Sequence, residues 1–346
     1  MFFLKRKSIC NLENMTTNRK IAILGCKDTT KFLLDAFRDA GFQIHCIITL
    51  NEELGRKNDV AGYLNIKEYA LSLGIHVYEV KSYALKHADD IRLINDMEID
   101  IAFVMGWQRL IPDSILSRLS IGAFGMHGSA MNLPLGRGRS PMNWSIIEGR
   151  KIFYTNLFKY DPGVDSGDVV DTFKFQITDR DTAQTMHFKN TLAMKYLVLK
   201  NIDNLLRNDF SLSRQSDTII PTYYPKRTSA DSIIDWNQDI YVLERFVRAV
   251  APPFGGAFTF CNGNKVICYD VQVFDVHDFG YDNVAAGTIV EIFEGGKLLV
   301  KGYGGLLLIN HYETSHALAK GMNFDNGNEF VKNFPRNPLG FFDIPE

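Results

Sequence analysis

The chain predicts an α/β fold, with a mostly parallel, Rossmann-like sheet followed by a small C-terminal β-barrel domain, on two contrasting patterns. In its first part, short apolar runs alternate with stretches of helical period, as βαβ units require. From about residue 224 onward, short strand-like runs instead follow one another across Asn-Gly, Gly-Gly and Gly-Tyr turns, the mark of a small antiparallel barrel. At 346 residues there is chain enough for two cores.

Residues 20–25 read as a buried strand ending at a glycine. Phe32, Leu33, Ala36, Phe37 and Ala40 then recur at helical spacing, and Gly41 stands where a helix closes. Strands are expected over 43–50 and 75–80 and helices over 67–73 and 85–97, followed by an apolar run over 100–105. Residues 141–148 read as a helix and 151–160 and 169–177 as strands. A long helix over 182–206 carries Met186, Leu192, Met194, Leu197 and Leu199. Residues 208–222, with Ser211, Ser213, Ser216 and Pro221, read as a linker. Short strands follow over 257–260, 265–269, 271–276, 287–292, 297–300 and 305–309. The expected division is an extension (1–19), an α/β domain (20–207), a linker (208–223), a barrel domain (224–315) and a tail (316–346) tied down by Phe324, Phe330, Phe334, Phe341 and Phe342. Met15 is an equally plausible start for the protein, since the first strand begins just after it.

Composition narrows the function classes. A net charge of −2, with 46% hydrophobic and 23% charged residues, gives no global drive toward nucleic acid or a membrane surface, and neither partner is expected. No window holds the eighteen or more apolar residues that span a bilayer. Cys10, Cys26, Cys46, Cys261 and Cys268 are dispersed, which fits reduced thiols in a cytoplasmic protein. The turn after the first strand, Gly25-Cys-Lys-Asp-Thr-Thr, lacks the closely spaced glycines of a dinucleotide site, and no phosphate loop occurs elsewhere. The histidines show no metal-ligand spacing, so no metal is expected. No Gly-x-Ser-x-Gly elbow occurs either.

Chemistry is concentrated in two turns. Gly125-Met-His127-Gly-Ser129 leaves the apolar run 121–124, and Leu133-Pro134 and Gly136-Arg-Gly-Arg-Ser-Pro141 follow it. The carboxyl ends of parallel strands border the ligand crevice of such sheets. The second turn is Asp161-Pro-Gly163-Val-Asp165-Ser-Gly167-Asp168. A histidine and a carboxylate on separate turns suggest a general acid/base pair oriented by a hydrogen bond.

This arrangement resembles the enzymes that move a formyl group from 10-formyltetrahydrofolate to an amine. Their pattern is Asn-x-His, a Leu-Pro/Arg-Gly-x-x-Pro loop, then Asp-x-Gly, and His127 and Asp165 fall on its histidine and aspartate. Arg137-Gly-Arg-Ser-Pro-Met-Asn143-Trp144 is most similar to the branch acting on nucleotide-linked amino sugars. The later half is similar too, through Lys226-Arg227-Thr228, Ile234-Asp235-Trp236 and the stretch from Arg248 to Phe258, so that the resemblance runs from Lys20 to Asn310.

The resemblance implies a formyltransferase fold and a transferase that formylates an amino-sugar nucleotide, a step of surface-polysaccharide synthesis, with 10-formyltetrahydrofolate as donor. His127 is then the proton shuttle and Asp165 its orienting partner. Met105, Gly106, Trp107, Leu110, Ile111, Pro112 and Asp161 would line the pterin pocket. Ser129, Arg137, Arg139, Asn143, Lys226, Arg227 and Arg248 would meet the acceptor, arginine forks matching its phosphates. The sequence departs from the family at Gly125, where an oxyanion-stabilising asparagine is usual; losing such a donor costs about 10²–10³ in rate. Asn132, in a lengthened loop, or the backbone N–H groups of Gly128 and Ser129 are the candidate replacements, against the plainer reading of Asn132 as a turn residue. Transfer of another one-carbon group, methionyl-tRNA formylation and a catalytically silent relative stay open, as does a homodimer.

Overall fold

The computed structural model describes residues 19–325 and 334–342. They form two compact units that share the chain in alternation. One takes the residues up to Gly125 with Phe158–Gly163 and Leu197–Ser213, and the other takes Met126–Leu157, Val164–Tyr196 and the residues from Arg214 onward.

The first unit is built from β1 (Ile21–Leu24), α1 (Asp28–Asp39), β2 (Cys46–Thr49), α2 (Glu52–Lys57), α3 (Lys67–Ser72), β3 (His76–Glu79), α4 (Ala88–Asp96), β4 (Ile101–Val104), α5 (Asp113–Leu116) and the start of β5 (Gly122–Ser129). The strands pair in parallel in the order β3-β2-β1-β4-β5. β1, β2 and β4 are buried along their whole length, which is why they read as continuous apolar runs and not as alternating ones. Leu24, Ile48, Val104, Ala123 and their neighbours form the core with Ile94 of α4 and Ile115 of α5. Helices α2 and α5 add to the expected set. Asn51 starts α2 by accepting the Leu54 N–H at 2.8 Å, which satisfies one of the open donors of a first turn.

The second unit holds the rest of β5, then β6 (Arg137–Gly138), α6 (Pro141–Ile147), most of β7 (Ile152–Lys159), β8 (Val169–Gln176), the first half of α7 (Ala183–Leu206), β9 (Tyr223–Tyr224), α8 (Ile240–Val250) and β10 to β14. The last five strands, Ala257–Cys261, Asn264–Asp275, Ile289–Ile292, Leu298–Gly302 and Gly305–Thr314, pair antiparallel in the order β10-β11-β14-β13-β12. This matches the antiparallel character expected of the region. Two strands expected over 265–269 and 271–276 are one long strand, β11, whose register shifts near Asp270 let it bend without ending. Helix α8 presents Ile240, Leu243, Val247 and Val250 to these strands, and Ile146, Phe153 and Met186 join the same core.

Two short features position the candidate site. β6 and β9 pair in parallel, Arg137 with Tyr223 and Gly138 with Tyr224, so the segment read as a linker leads directly into a ladder with the loop after β5. Three of the tail aromatics pack against tryptophans. Phe324 stacks on Trp236 at 5.4 Å, and Phe334 and Phe342 close on Trp144 at 4.9 and 4.4 Å. Phe330 and the extension before residue 19 lie outside the described residues. Among the described residues no helix is long and apolar enough to cross a membrane. Cys26, Cys46, Cys261 and Cys268 are buried free thiols.

Candidate active site

β5 sets the geometry from which the site grows. Its side chains alternate between faces, so His127 and Ser129 leave the strand on one side. His127 is 6% exposed, and its Nδ1 lies 3.3 Å from Asp165 Oδ2. Its Nε2 lies 2.7 Å from the Gly136 carbonyl oxygen. Nε2 is thus within hydrogen-bond distance of a carbonyl, and Nδ1 faces the carboxylate at ion-pair distance.

Asp165 sits at φ +48°, a left-handed backbone that aspartate tolerates better than most residues. Its Oδ2 also accepts the Gly138 N–H at 2.9 Å, which ties the turn to β6. Gly136 is needed as glycine: it has φ +70°, and a Cβ there would meet Ser129 Oγ at 2.2 Å. Its N–H donates to Thr222 Oγ1 at 2.8 Å, so the carbonyl facing His127 belongs to a peptide segment held on both sides.

Residues absent from the sequence-derived set brace this pair. Gln215, 8% exposed, donates from Nε2 to the carbonyls of Asp165 and Gly167, both at 2.8 Å. Its Oε1 accepts from Arg137 Nη2 at 2.6 Å. A polar residue in a polar stretch offers no periodicity by which it could have been found.

The expected acceptor residues divide by environment. Arg137 is 8% exposed and is engaged by Gln215 and by the Tyr223 hydroxyl at 3.3 Å. Asn143, 6% exposed, donates to the Ala249 carbonyl at 2.7 Å and links α6 to α8. Arg248 binds Glu244 and the Asp181 carbonyl. Arg227 lies 4.7 Å over the Trp144 ring and donates to the Asp231 carbonyl, and burial lowers its pKa to about 10. Ser129 is fully buried, its Oγ accepting the Met131 N–H at 3.2 Å. Lys226 is exposed and Arg139 is half-buried. Asn132 is exposed and opens a turn, its carbonyl accepting the Leu135 N–H at 2.9 Å.

The residues expected at a pterin belong to the first unit, where Met105 and Ile111 are buried and Leu110 is 48% exposed. Met105 accepts from Thr30 Oγ1 at 2.7 Å, Gly106 accepts from Cys26 through its carbonyl, and Pro112 precedes α5 as its cap. Trp107 is 6% exposed and packs edge-on against Tyr83 at 4.8 Å; its indole N–H is buried with no hydrogen-bond partner among the described residues. Such a donor costs free energy unless something accepts from it. Asp161 accepts the Gly163 N–H at 3.0 Å. Gly125 also has a structural cause within this unit. A Cβ there would lie 2.2 Å from Cε2 and 3.0 Å from the hydroxyl of Tyr160, so the phenol ring fills the space a side chain would take. Among the described residues no group of three or more His, Cys, Asp or Glu could hold a metal ion.

Two family descriptions match the chain: "Formyl transferase" over residues 19–198 and "Formyl transferase, C-terminal domain" over residues 226–329. The fold is similar to that of the N-formyltransferase from Helicobacter canadensis, solved with folinic acid and dTDP-3-aminofucose (19% identity, TM-score 0.61, 85% of this chain and 100% of that one). It is similar also to WlaRD, a sugar 3N-formyl transferase solved in the presence of dTDP and 5-N-formyl-THF (19% identity, TM-score 0.61, 87% and 99%). HypX from Aquifex aeolicus, solved in complex with tetrahydrofolic acid, matches 94% of this chain over 51% of its own length (16% identity, TM-score 0.60). At these identities the likeness establishes a shared fold.

Proposed function

This chain belongs to the formyl transferase family, and on that premise we propose that it transfers a formyl group from 10-formyltetrahydrofolate to the primary amine of a nucleotide-linked amino sugar. The observation that carries the proposal is the 3.3 Å approach of His127 Nδ1 to Asp165 Oδ2 on a nearly buried ring. Two of the similar structures hold a thymidine nucleotide or its amino sugar together with a folate, which supports this acceptor and donor.

Formyl transfer needs a neutral amine, a stabilised carbonyl oxygen and a proton for the leaving nitrogen. In the proposed sequence the amine nitrogen bonds to the formyl carbon, and the bond from that carbon to the folate nitrogen breaks. His127 moves the proton, giving it to the departing nitrogen and regaining one from the amine. To do so Nε2 leaves the Gly136 carbonyl, while Asp165 keeps Nδ1 in place and stabilises the imidazolium. Trp107, with its unpartnered N–H, together with Met105, Gly106, Leu110, Ile111, Pro112 and Asp161, is proposed to hold the donor's pterin. Arg139 and Lys226 are proposed to meet the acceptor's phosphates, on a frame held by Arg137, Asn143, Arg227 and Arg248. Asn132 or the backbone N–H groups of Gly128 and Ser129 are proposed to face the oxyanion.

The test is release of tetrahydrofolate from 10-formyltetrahydrofolate against a panel of thymidine- and uridine-linked amino sugars, with initiator methionyl-tRNA as the competing acceptor. Turnover with an amino-sugar nucleotide, lost in His127→Ala, is the expected result. Turnover with the tRNA alone overturns the acceptor, and no turnover with any amine overturns the activity.

A further inference from the structure

Gln215 is a buried polar side chain beside the candidate pair for which the proposed chemistry leaves no task. Its side chain is nearly sealed from solvent, and all of its principal hydrogen-bonding capacity is spent within the site. Both carbonyls that Nε2 meets are acceptors, and the guanidinium that Oε1 meets is a donor. The amide orientation is therefore determined, because a flipped amide would set donor against donor. One carbonyl belongs to Asp165 itself, and the guanidinium belongs to Arg137, the neighbour of Gly138. Gly138 in turn donates its N–H to the Asp165 carboxylate, and the same carboxylate faces His127. The Asp165 backbone is held at φ +48°, a left-handed conformation less favourable than the right-handed one even for aspartate.

We propose that Gln215 is a positioning residue for the reaction, locking the backbone of the Asp165 turn to the Arg137–Gly138 strand so that the carboxylate stays against the His127 ring. This rests on the reading of His127 and Asp165 as the acting pair. Gln215 touches neither the ring nor the carboxylate group and acts through Asp165. Arg137 thereby acquires a role as the partner that orients the amide, in place of direct acceptor binding.

The experiment uses the full chain and two variants. Gln215→Met keeps the length of the side chain and removes the amide, while Gln215→Glu keeps an acceptor for Arg137 and removes both donors. Each is expected to lower kcat about 10–100-fold with the KM of donor and acceptor within about twofold, the signature of a displaced group and not of a lost binding contact. In an Asp165→Ala background, Gln215→Met is expected to cost nothing further, because the group it positions is gone. The ¹⁵N signals of the His127 ring, assigned by difference against His127→Gln, are expected to shift in Gln215→Met. Circular dichroism and melting confirm that each variant is folded, and Gln215→Glu serves if the methionine variant is not. Unchanged kcat, or an equal loss in the Asp165→Ala background, overturns the proposal. A wild-type protein inert toward every amine overturns the functional reading instead; the ring signals then decide alone, and unmoved signals overturn the positioning role.

Discussion

Residue 125 shows how one side chain is set by another far along the chain. The Tyr160 ring occupies the volume in which a Cβ at position 125 would sit, stacked at 5.1 Å on Phe158, so glycine is the residue that lets β5 pass. Gly125→Ala is expected to destabilise the protein by about 1–3 kcal/mol through overpacking, read as a lower midpoint in urea at unchanged slope. Because the tyrosine causes the clash, Tyr160→Ala is expected to remove most of that penalty when the two are combined. An alanine tolerated at Gly125 with Tyr160 intact would show that the ring moves aside at little cost. His127 obeys the same logic of local occupancy, since each ring nitrogen already faces an acceptor.

At the scale of elements, α7 depends on a carboxylate at its start. Asp181, 3% exposed, accepts the Thr178 N–H at 2.7 Å, the Thr178 hydroxyl at 2.9 Å and the Thr185 hydroxyl at 2.8 Å, and it pairs with Lys189. Burial alone would raise its pKa, but the hydrogen bonds from Lys189, Thr178 and Thr185 outweigh it and hold the carboxyl below its ordinary value. A folded-state pKa lowered in this way contributes stability that is complete above the usual aspartate range and is lost as pH falls through the depressed folded-state value. Wild-type protein is therefore expected to lose stability in that acid window, and Asp181→Asn to lose less of it between neutral pH and the window. Asp181→Ala is expected to cost about 1–3 kcal/mol at neutral pH by removing the acceptor of the Thr178 N–H and hydroxyl. Equal acid sensitivity of wild type and Asp181→Asn in denaturant titrations would place the effect elsewhere. The same carbonyl-to-carboxylate region explains Arg248, which clamps the Asp181 carbonyl and pairs with Glu244.

Across the whole molecule, what was legible in the sequence follows from how strongly each feature imprints a pattern. β1, β2 and β4 are buried on both faces and so leave unbroken apolar runs. By contrast α7 stands out by its length, since of the apolar residues that mark it Met186 and Leu197 are buried and Leu192 is exposed. His127 and Asp165 stood out because each follows or enters a glycine-rich turn, and the fold brings them together. The β6–β9 ladder spans two residues on each side, too few for any periodicity, and Gln215 is one polar residue among many. Arg137, Asn143 and Arg248 carry the residue types of a phosphate site, yet their burial and partners come from distant segments that composition does not reveal. β11 reads as two strands because its bulges interrupt the alternation that marks a strand.

The most direct test of the central claim is a kinetic cycle on the facing imidazole and carboxylate, using His127→Ala, Asp165→Ala and the double variant in tetrahydrofolate release with an amino-sugar nucleotide. If the two side chains act as one proton-handling unit, each single substitution lowers kcat by about 10³ or more and the double variant loses little beyond the worse single. Losses that multiply, or an Asp165→Ala enzyme as fast as wild type, would contradict it.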